Sequence, residues 1–578
     1  MKFSIIKFKK QLLETKNLQK MKKPIQTFYI WPALLKAVLL GIMFFIGVRG
    51  GAQEWLWAQS VGSSAYEGVN YIVKDQSNNV YVGMFLSSDG GGGTLHFNTG
   101  TYVCNGSSDM FIVKYDPDGN ELWVRQLGGD NPSWPESYSE YMTGLKYDAV
   151  TNSLYVTGIF YESCNFGNGI VLDGWYQDIF YARFDPEGNC LWAKRAGSSA
   201  NENASAIGTD EMGSLLLTVA LTKEGDIDNT YYGHGGYLLK YSPDGNNILT
   251  KKIHNDTYNT YPAVNIREIK SKDGLIYLYG NNKYTIFSVD TISCNHPGYY
   301  GEILVCLNSE GSALWLKQFG GPVFRNISLT FAMDDQKNFY FTGSFEGDLA
   351  TFGNDTIISN ASSRELFIFK CDSEGNNVWI QQANASNSVL GNGIFISDNE
   401  DVFCIGSIKG NATFGEHSIQ SLTMKDIFLV RYNSSGICLS AEILGEGTGL
   451  SGNFCNDNAM IVGGAFLNTI AFGNTVLTSN GYYDAFIAKR ELITGNGNND
   501  KVFNERLLIY ANPSTGICNI SIPEELQHEE NLTLLVYDYS GKLILQKEIN
   551  MQEEKISLNL QAEAKGVYNA ILDRKSVV

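Results

Sequence analysis

A motif that returns about every 64 residues constrains this chain more than any other feature. Its clearest copy is DIFYARFDPEGNCLWAKRAG at 178–197, and DMFIVKYDPDGNELWVRQLG at 109–128 matches it closely. Weaker copies start at Gly235, Gly301, Glu365 and Asp426, and a half-copy, DAFIAK, starts at Asp484. The turn glycines are Gly119, Gly188, Gly245, Gly311, Gly375 and Gly436, spaced 69, 57, 66, 64 and 61 residues apart. Self-similarity at such a period means units that cannot bury their apolar faces alone and must stack on neighbours.

Each copy alternates apolar and polar residues, meets a D-x-x-G-N turn, and alternates again toward a Trp, which is a hairpin signal. The Asp side chain accepts backbone amides and the glycine takes positive φ. Asp116-Pro117-Asp118-Gly119 lacks the spaced acids and closing Glu of a calcium loop, so it reads as a turn. Upstream lie short apolar strands: NSLYVTGIF (152–160), KNFYFTGSF (337–345), EDVFCIGSI (400–408) and NAMIVGGAF (458–466), with variants from Asn78 and Gly274. Their glycines (Gly158, Gly343, Gly406, Gly464) predict close packing or a bulge. F-G-N recurs at Phe166, Phe352 and Phe472, with a near match at Phe414. One repeat therefore predicts four strands, in the second repeat 143–147, 154–160, 178–184 and 191–194. That is the size and content of a propeller blade.

The ends complete the count. Trp57, in EWLWAQSVG, sits on a second hairpin arm whose first arm is missing; 484–489 is a first arm whose partner is missing. Joined, they give seven hairpins. The expected fold is all-β: a seven-bladed β-propeller of four-stranded blades, closed by the N-terminal strand, followed by a small C-terminal β-sandwich. Closure removes two exposed sheet edges. An open solenoid, or a ring of six or eight, is the alternative.

Composition agrees with this class. The chain is 43% hydrophobic and 18% charged, which marks it as globular. Its formal charge of −18 disfavours nucleic acid as a partner. Solubility explains that charge, with cation binding as the alternative. The 10 cysteines include no CxxC pair, so buried free thiols are expected rather than a zinc site or a disulfide scaffold. At the N-terminus, Lys22 and Lys23 follow Met21 and precede an apolar run at 37–48, with Gly50 and Ala52 placed for a cut before Gln53. This reads as a signal peptide, with an uncleaved anchor as the alternative and Met1 or Met21 as the start. The expected division is 1–52 basic prelude and signal peptide, 53–490 propeller, 491–504 linker, and 505–578 β-sandwich. No membrane span is expected after signal cleavage.

Two resemblances follow. The YVTG, FG, DxFIxKYD and GNxxW series, over about 55–490, resembles the SBBP-type β-propeller repeats of secreted bacterial proteins. Thr218-Val219-Ala220 stands where TG-x-F is usual, and the third and fourth repeats lack F-G-N. That resemblance implies a secreted propeller and no catalytic residues. In the tail, Tyr510-Ala511-Asn512-Pro513 with Gly516, Asp538 with Gly541-Lys542, and Lys565-Gly566-Val567-Tyr568 occur in order. This is similar to the type IX secretion C-terminal sorting domain of Bacteroidetes-like proteins, with Ala511 replacing the usual first proline. It implies export, type IX secretion machinery as a partner, and release or surface attachment. The family pattern continues into a final basic–apolar strand, expected here to be shortened at 574–578.

No catalytic, metal or cofactor set emerges. Six histidines form no HExxH pair, no G-x-S-x-G elbow occurs, and Asp89 with Gly90–Gly93 lacks the Lys-Ser/Thr of a phosphate loop. Asp290-Thr291-Ile292 and Asp355-Thr356-Ile357 resemble bacterial O-glycosylation tripeptides. The expected function is a secreted or cell-surface, non-enzymatic binding protein whose loops meet a glycan or a protein. The irregular loops expected at 86–108, 130–140 and 281–300 offer Trp134, Tyr138, Tyr299 and Tyr300 for stacking, with loop packing as their alternative role. A polysaccharide-acting hydrolase or lyase, and a structural envelope protein, are the other classes.

Overall fold

The computed structural model describes residues 55–492 apart from 88–92, 105–107, 130–139, 203–205, 255–263, 283–285, 296–300, 321–324, 347–349, 353–354, 359–363 and 456–458. In the tail it describes the strands at 508–510, 517–521, 532–538, 543–549, 555–559 and 568–574. The signal-type segment lies outside the described residues.

Turn chemistry sets the local structure. Asp116 Oδ1 accepts the amides of Asp118 and Asn120 at 2.9 and 2.8 Å, while Asn120 Nδ2 donates to Oδ2 at 2.8 Å. Asp185 and Asp372 repeat the pattern. Both carboxylate oxygens are thereby taken by the turn itself. Gly119 at φ 85° then returns the chain into the next strand.

All regular structure among the described residues is strand, in a propeller-like succession of antiparallel sheets. The first sheet pairs Tyr66–Lys74, Val80–Ser87, Ser108–Tyr115 and Glu121–Leu127 in chain order. The next pairs Tyr141–Asp148, Ser153–Asn165, Val171–Phe184 and Cys190–Ser198 the same way. Its middle strands outrun the sequence expectation because they extend into a hairpin arm that turns at Phe166-Gly167-Asn168. F-G-N is thus a hairpin turn with its Phe buried, as it is at Phe414 and Phe472.

The loops expected to be irregular are corrected on the same ground. Within 86–108 lies the hairpin Thr94–Phe97 with Gly100–Val103, and within 281–300 lies Ile286–Val289 with Ile292–Asn295. The third repeat builds its own arm without F-G-N, turning at Asp228 and Asn229, both at positive φ. Asp290 of the first Asp-Thr-Ile tripeptide is such a turn residue: its carboxylate accepts Ala313 N at 2.9 Å and Lys251 Nζ at 3.1 Å.

The two orphan arms meet. Trp55–Val61 runs antiparallel to Asp484–Glu491, with Trp57 opposite Lys489 and Val61 opposite Ala485. Cys438–Phe454 serves two sheets, pairing with Asp426–Tyr432 and then with Ala459–Phe472. Its crossover carries Gly445 and Gly447, at φ 149° and 151°.

One contact recurs between sheets. The indole N–H of Trp57 donates to Pro117 O at 3.0 Å, Trp123 to Pro186 O at 3.0 Å, Trp192 to Pro243 O at 2.9 Å, and Trp379 to Ser434 O at 3.0 Å. Each indole lies against the turn glycine of the following sheet; a β-carbon on Gly119 would fall 2.5 Å from the Trp57 ring. Leu249 replaces the Trp in one repeat and still packs at Gly311. Ser440 occupies the corresponding position in Cys438–Phe454, and the sheet after it follows Asp484–Glu491 with LITG rather than a D-x-x-G turn. Ser440 thus takes the Trp position where the sequence that follows lacks a D-x-x-G match.

The nine described cysteines are all free thiols. Residues 494–578 form a separate compact unit. It contains two three-stranded antiparallel sheets, one of Leu508–Tyr510, Ile517–Ser521 and Lys555–Asn559, the other of Leu543–Ile549, Leu532–Asp538 and Tyr568–Arg574. Leu534 and Val536, on one face of the second sheet, are buried.

Trp123→Ala removes a half-buried ring and a hydrogen bond, and is expected to destabilise by about 2–4 kcal/mol, near the lower end for core aromatics. Trp57→Ala is expected to match it in thermal unfolding and also to expose the N-terminal strand to limited proteolysis. Leu122→Ala, at an exposed neighbouring position, is the control; equal melting of all three variants would refute the clasp.

Candidate functional site

The innermost strands carry a repeated irregularity. Register shifts bulge out Asn70, Thr143, Arg267, Asn392 and Leu450, each on a different inner strand. A bulge re-aims a side chain and sharpens the twist. All five residues line one cavity of ≈ 870 Å³. Its wall comes from Tyr66–Lys74, Tyr141–Asp148, Ile207–Thr209, Val264–Lys272, Arg325–Met333, Ser388–Ile396 and the second half of Cys438–Phe454. Asn392 Nδ2 donates to Gly449 O at 2.9 Å and Asn453 Nδ2 to Ile72 O at 3.2 Å, tying neighbouring inner strands together. Glycine keeps others close: a β-carbon on Gly208 would fall 3.0 Å from Ile269 O.

The charged residues of the described lining are Lys146, Arg267, Glu268 and Lys270, three cations against one carboxylate. Lys270 Nζ lies 3.7 Å from Glu268 Oε2, and Thr330 Oγ1 donates to Glu268 Oε1 at 3.4 Å. Burial and the neighbouring Lys270 push the Lys146 ammonium down to about 8, against the pull of Glu268 and Asp148. Burial, with Glu268 nearby, pushes the Tyr71 phenol up. Tyr141, also in the lining, accepts a hydrogen bond from Gln177 Nε2 at 3.4 Å. Tyr71, Lys146 and Glu268 thus act on one another although they come from three different repeats. Such a set can hydrogen-bond a polar ligand and balance a negative charge.

A second group of acids sits at sheet junctions, outside the described lining. Asp109 and Glu140 both crowd Gly128, where a β-carbon would fall 2.5 Å from Asp109 Oδ1 and 2.8 Å from Glu140 Oε2. Glu67 faces Asp484 across the closing junction, and Glu202 faces Asp178 across the next. All six are buried. Burial, helped by the facing carboxylate, pushes Glu140 up to about 8 and Glu67 and Glu202 to about 7. Partial compensation comes from Gly129 N to Glu140, Ser63 to Glu67, and Thr222 N to Glu202.

The sign of the pH effect follows. Below about pH 4.5 these carboxyls are protonated in both folded and unfolded chains, so their burial costs least there. As pH rises toward 7–8 the unfolded chain loses protons that the folded chain keeps, and stability falls. Glu140→Gln keeps an acceptor for Gly129 N without the charge. Its melting temperature is expected to gain on the wild type steadily from pH 5 to pH 8; a constant difference would refute proton retention by the buried Glu140.

Trp134, Tyr138, Tyr299 and Tyr300 lie outside the described residues. So do Asn512, Pro513, Gly516, Gly541, Lys542 and Gly566 of the tail motif. Asp538 and Tyr568 fall in strands and are register partners. Sequence reasoning missed Tyr71, Lys146, Glu268 and Lys270; the inner-strand bulges were the available signal, and they have no sequence signature of their own. Among the described residues, no cluster of three or more metal-type ligands converges, and no helix is long and apolar enough to cross a membrane.

Residues 508–577 match the family described as the secretion system C-terminal sorting domain. The tail marks a secreted or cell-surface protein. The sorting domain also makes the secretion machinery a partner of this chain. Over 75% of the chain, it is 22% identical to an uncharacterized WD repeat-containing protein of Acanthamoeba polyphaga mimivirus. The match spans 38% of that relative's length. Among solved structures, the phage phi92 endosialidase aligns at TM-score 0.37 and 10% identity, over 86% of this chain and 79% of that one. An ulvan lyase, a polysaccharide lyase, aligns at TM-score 0.36 and 9% identity, over 74% and 97%.

Proposed function

We propose that this chain is an exported, non-enzymatic binding protein: a seven-bladed β-propeller of the SBBP repeat type, closed by Trp55–Val61, with a C-terminal β-sandwich that addresses it to type IX secretion. The cavity framed by seven inner strands of the repeat region supports this reading. It is a concave, mixed polar and apolar site within the usual size range for ligand pockets. Variable loops around a rigid scaffold supply the rest of a binding face, for a glycan or a surface protein.

A hydrolase or lyase acting on extracellular polysaccharide is the second reading. It draws on Tyr71, Tyr141, Lys146 and Glu268, titratable groups gathered in one cavity. Glu268 is the one carboxylate in the described lining, whereas glycoside hydrolysis usually employs a facing pair. That asymmetry favours binding.

A glycan and surface-protein array probed with the full-length protein is expected to return a saturable ligand. No binder would defeat the first reading, and turnover of any array glycan would replace it with the second. Deleting 508–577 is expected to hold the protein inside the cell envelope; unchanged appearance in the medium or on the surface would defeat the sorting role.

A further inference from the structure

The cavity's charge runs against that of the whole protein. The chain has 61 acidic and 43 basic residues, yet the described lining holds three cations and one carboxylate. Six of the acids are folded away in pairs at sheet junctions, and none of them lines the cavity. Glu268 already engages Lys270 and Thr330. Lys146 lies close enough to Lys270 to be repelled by it, and with Glu268 set against Lys270 two positive charges, on Lys146 and Arg267, are left over in a confined space. Confinement between low-dielectric walls focuses that potential, and an acidic exterior screens it only weakly there.

The neutral lining is equally specific in kind. Asn70, Asn265, Thr330 and Ser451 offer amides and hydroxyls, and Tyr71 and Tyr141 offer phenols with apolar faces. A bare inorganic anion would leave most of these groups unused. A hydroxylated carboxylate would use them together, with its ring against an aromatic face and its hydroxyls on the polar groups.

We propose that the channel binds a hexuronate, its carboxylate held by Lys146 and Lys270 and a ring hydroxyl donating to Glu268. This rests on the binding-protein reading above and narrows its ligand to an acidic sugar. The carboxylate offsets part of the positive charge that the lining carries in excess. Glu268 gives orientation, because it accepts from a hydroxyl and repels a second acidic group.

Calorimetric titration of the full-length protein with galacturonate, glucuronate, glucose and sodium sulfate tests it. One hexuronate per chain is expected, with glucose silent and sulfate at least tenfold weaker. Lys146→Met and Lys270→Met keep the aliphatic stems and are each expected to weaken binding at least tenfold. Lys146→Arg keeps the charge and is expected to retain binding, which separates a lost site from a misfolded variant. Sulfate binding as tight as hexuronate would overturn the proposal in favour of a general anion site. Absence of hexuronate binding would also overturn it. If the array then finds a ligand whose binding survives Lys146→Met, the binding-protein reading stands without the channel site. A silent titration with an empty array removes both.

Discussion

The structure depends on an indole laid across a neighbour's turn. The Trp on the outer strand of one sheet donates to a carbonyl in the next sheet's D-x-x-G turn and packs on its glycine. The contact needs both partners. A side chain at the glycine would collide with the ring, and the ring without the turn would have no acceptor for its N–H. It joins sheets that share no backbone hydrogen bonds along most of their length. Trp57 uses it to bind the N-terminal strand over the turn at Gly119, and Lys489 Nζ reaches Pro117 O at 3.1 Å from the strand beside it. Closure is thus made by the same contact that Trp123, Trp192 and Trp379 make between other neighbouring sheets.

Charge is sorted by position within this frame. Acids that begin the third strands meet acids from the preceding inner-strand loops and share burial against glycine. Burial keeps protons on Glu67, Glu140 and Glu202, while Asp178 pairs with Arg195 at 2.5 Å. The inner strands do the opposite. Their bulges turn polar side chains toward the axis, and cations outnumber carboxylates there. A site for an anionic ligand therefore emerges in an acidic protein without any change in overall composition.

Much of the fold was legible because its signals are local. The Asp116 turn, the strand alternation and the Trp that follows lie within twenty residues, and each can be checked against the next copy. The orphan arms at Trp57 and Asp484 declared themselves by what they lacked. The hairpin arms were less legible: F-G-N marked some, but Asp228-Asn229 and Asp290 build the same turn from different residues that tolerate positive φ. Reading 86–108 and 281–300 as irregular loops failed for that reason. The tail motif was legible as a pattern, and the pairing of Asp538 with Tyr568 gives two of its marks a common place in one sheet.

By itself, the sequence determined the repeat, the strand content, the turn glycine with the Trp that follows it, and the secretion-type tail. Each rests on residues close together in the chain or on a spacing that recurs. Only the tertiary structure decided the cavity. Tyr71, Lys146 and Glu268 are separated by more than seventy residues at each step, and no local rule links them. They meet because the inner strands of different repeats line one cavity.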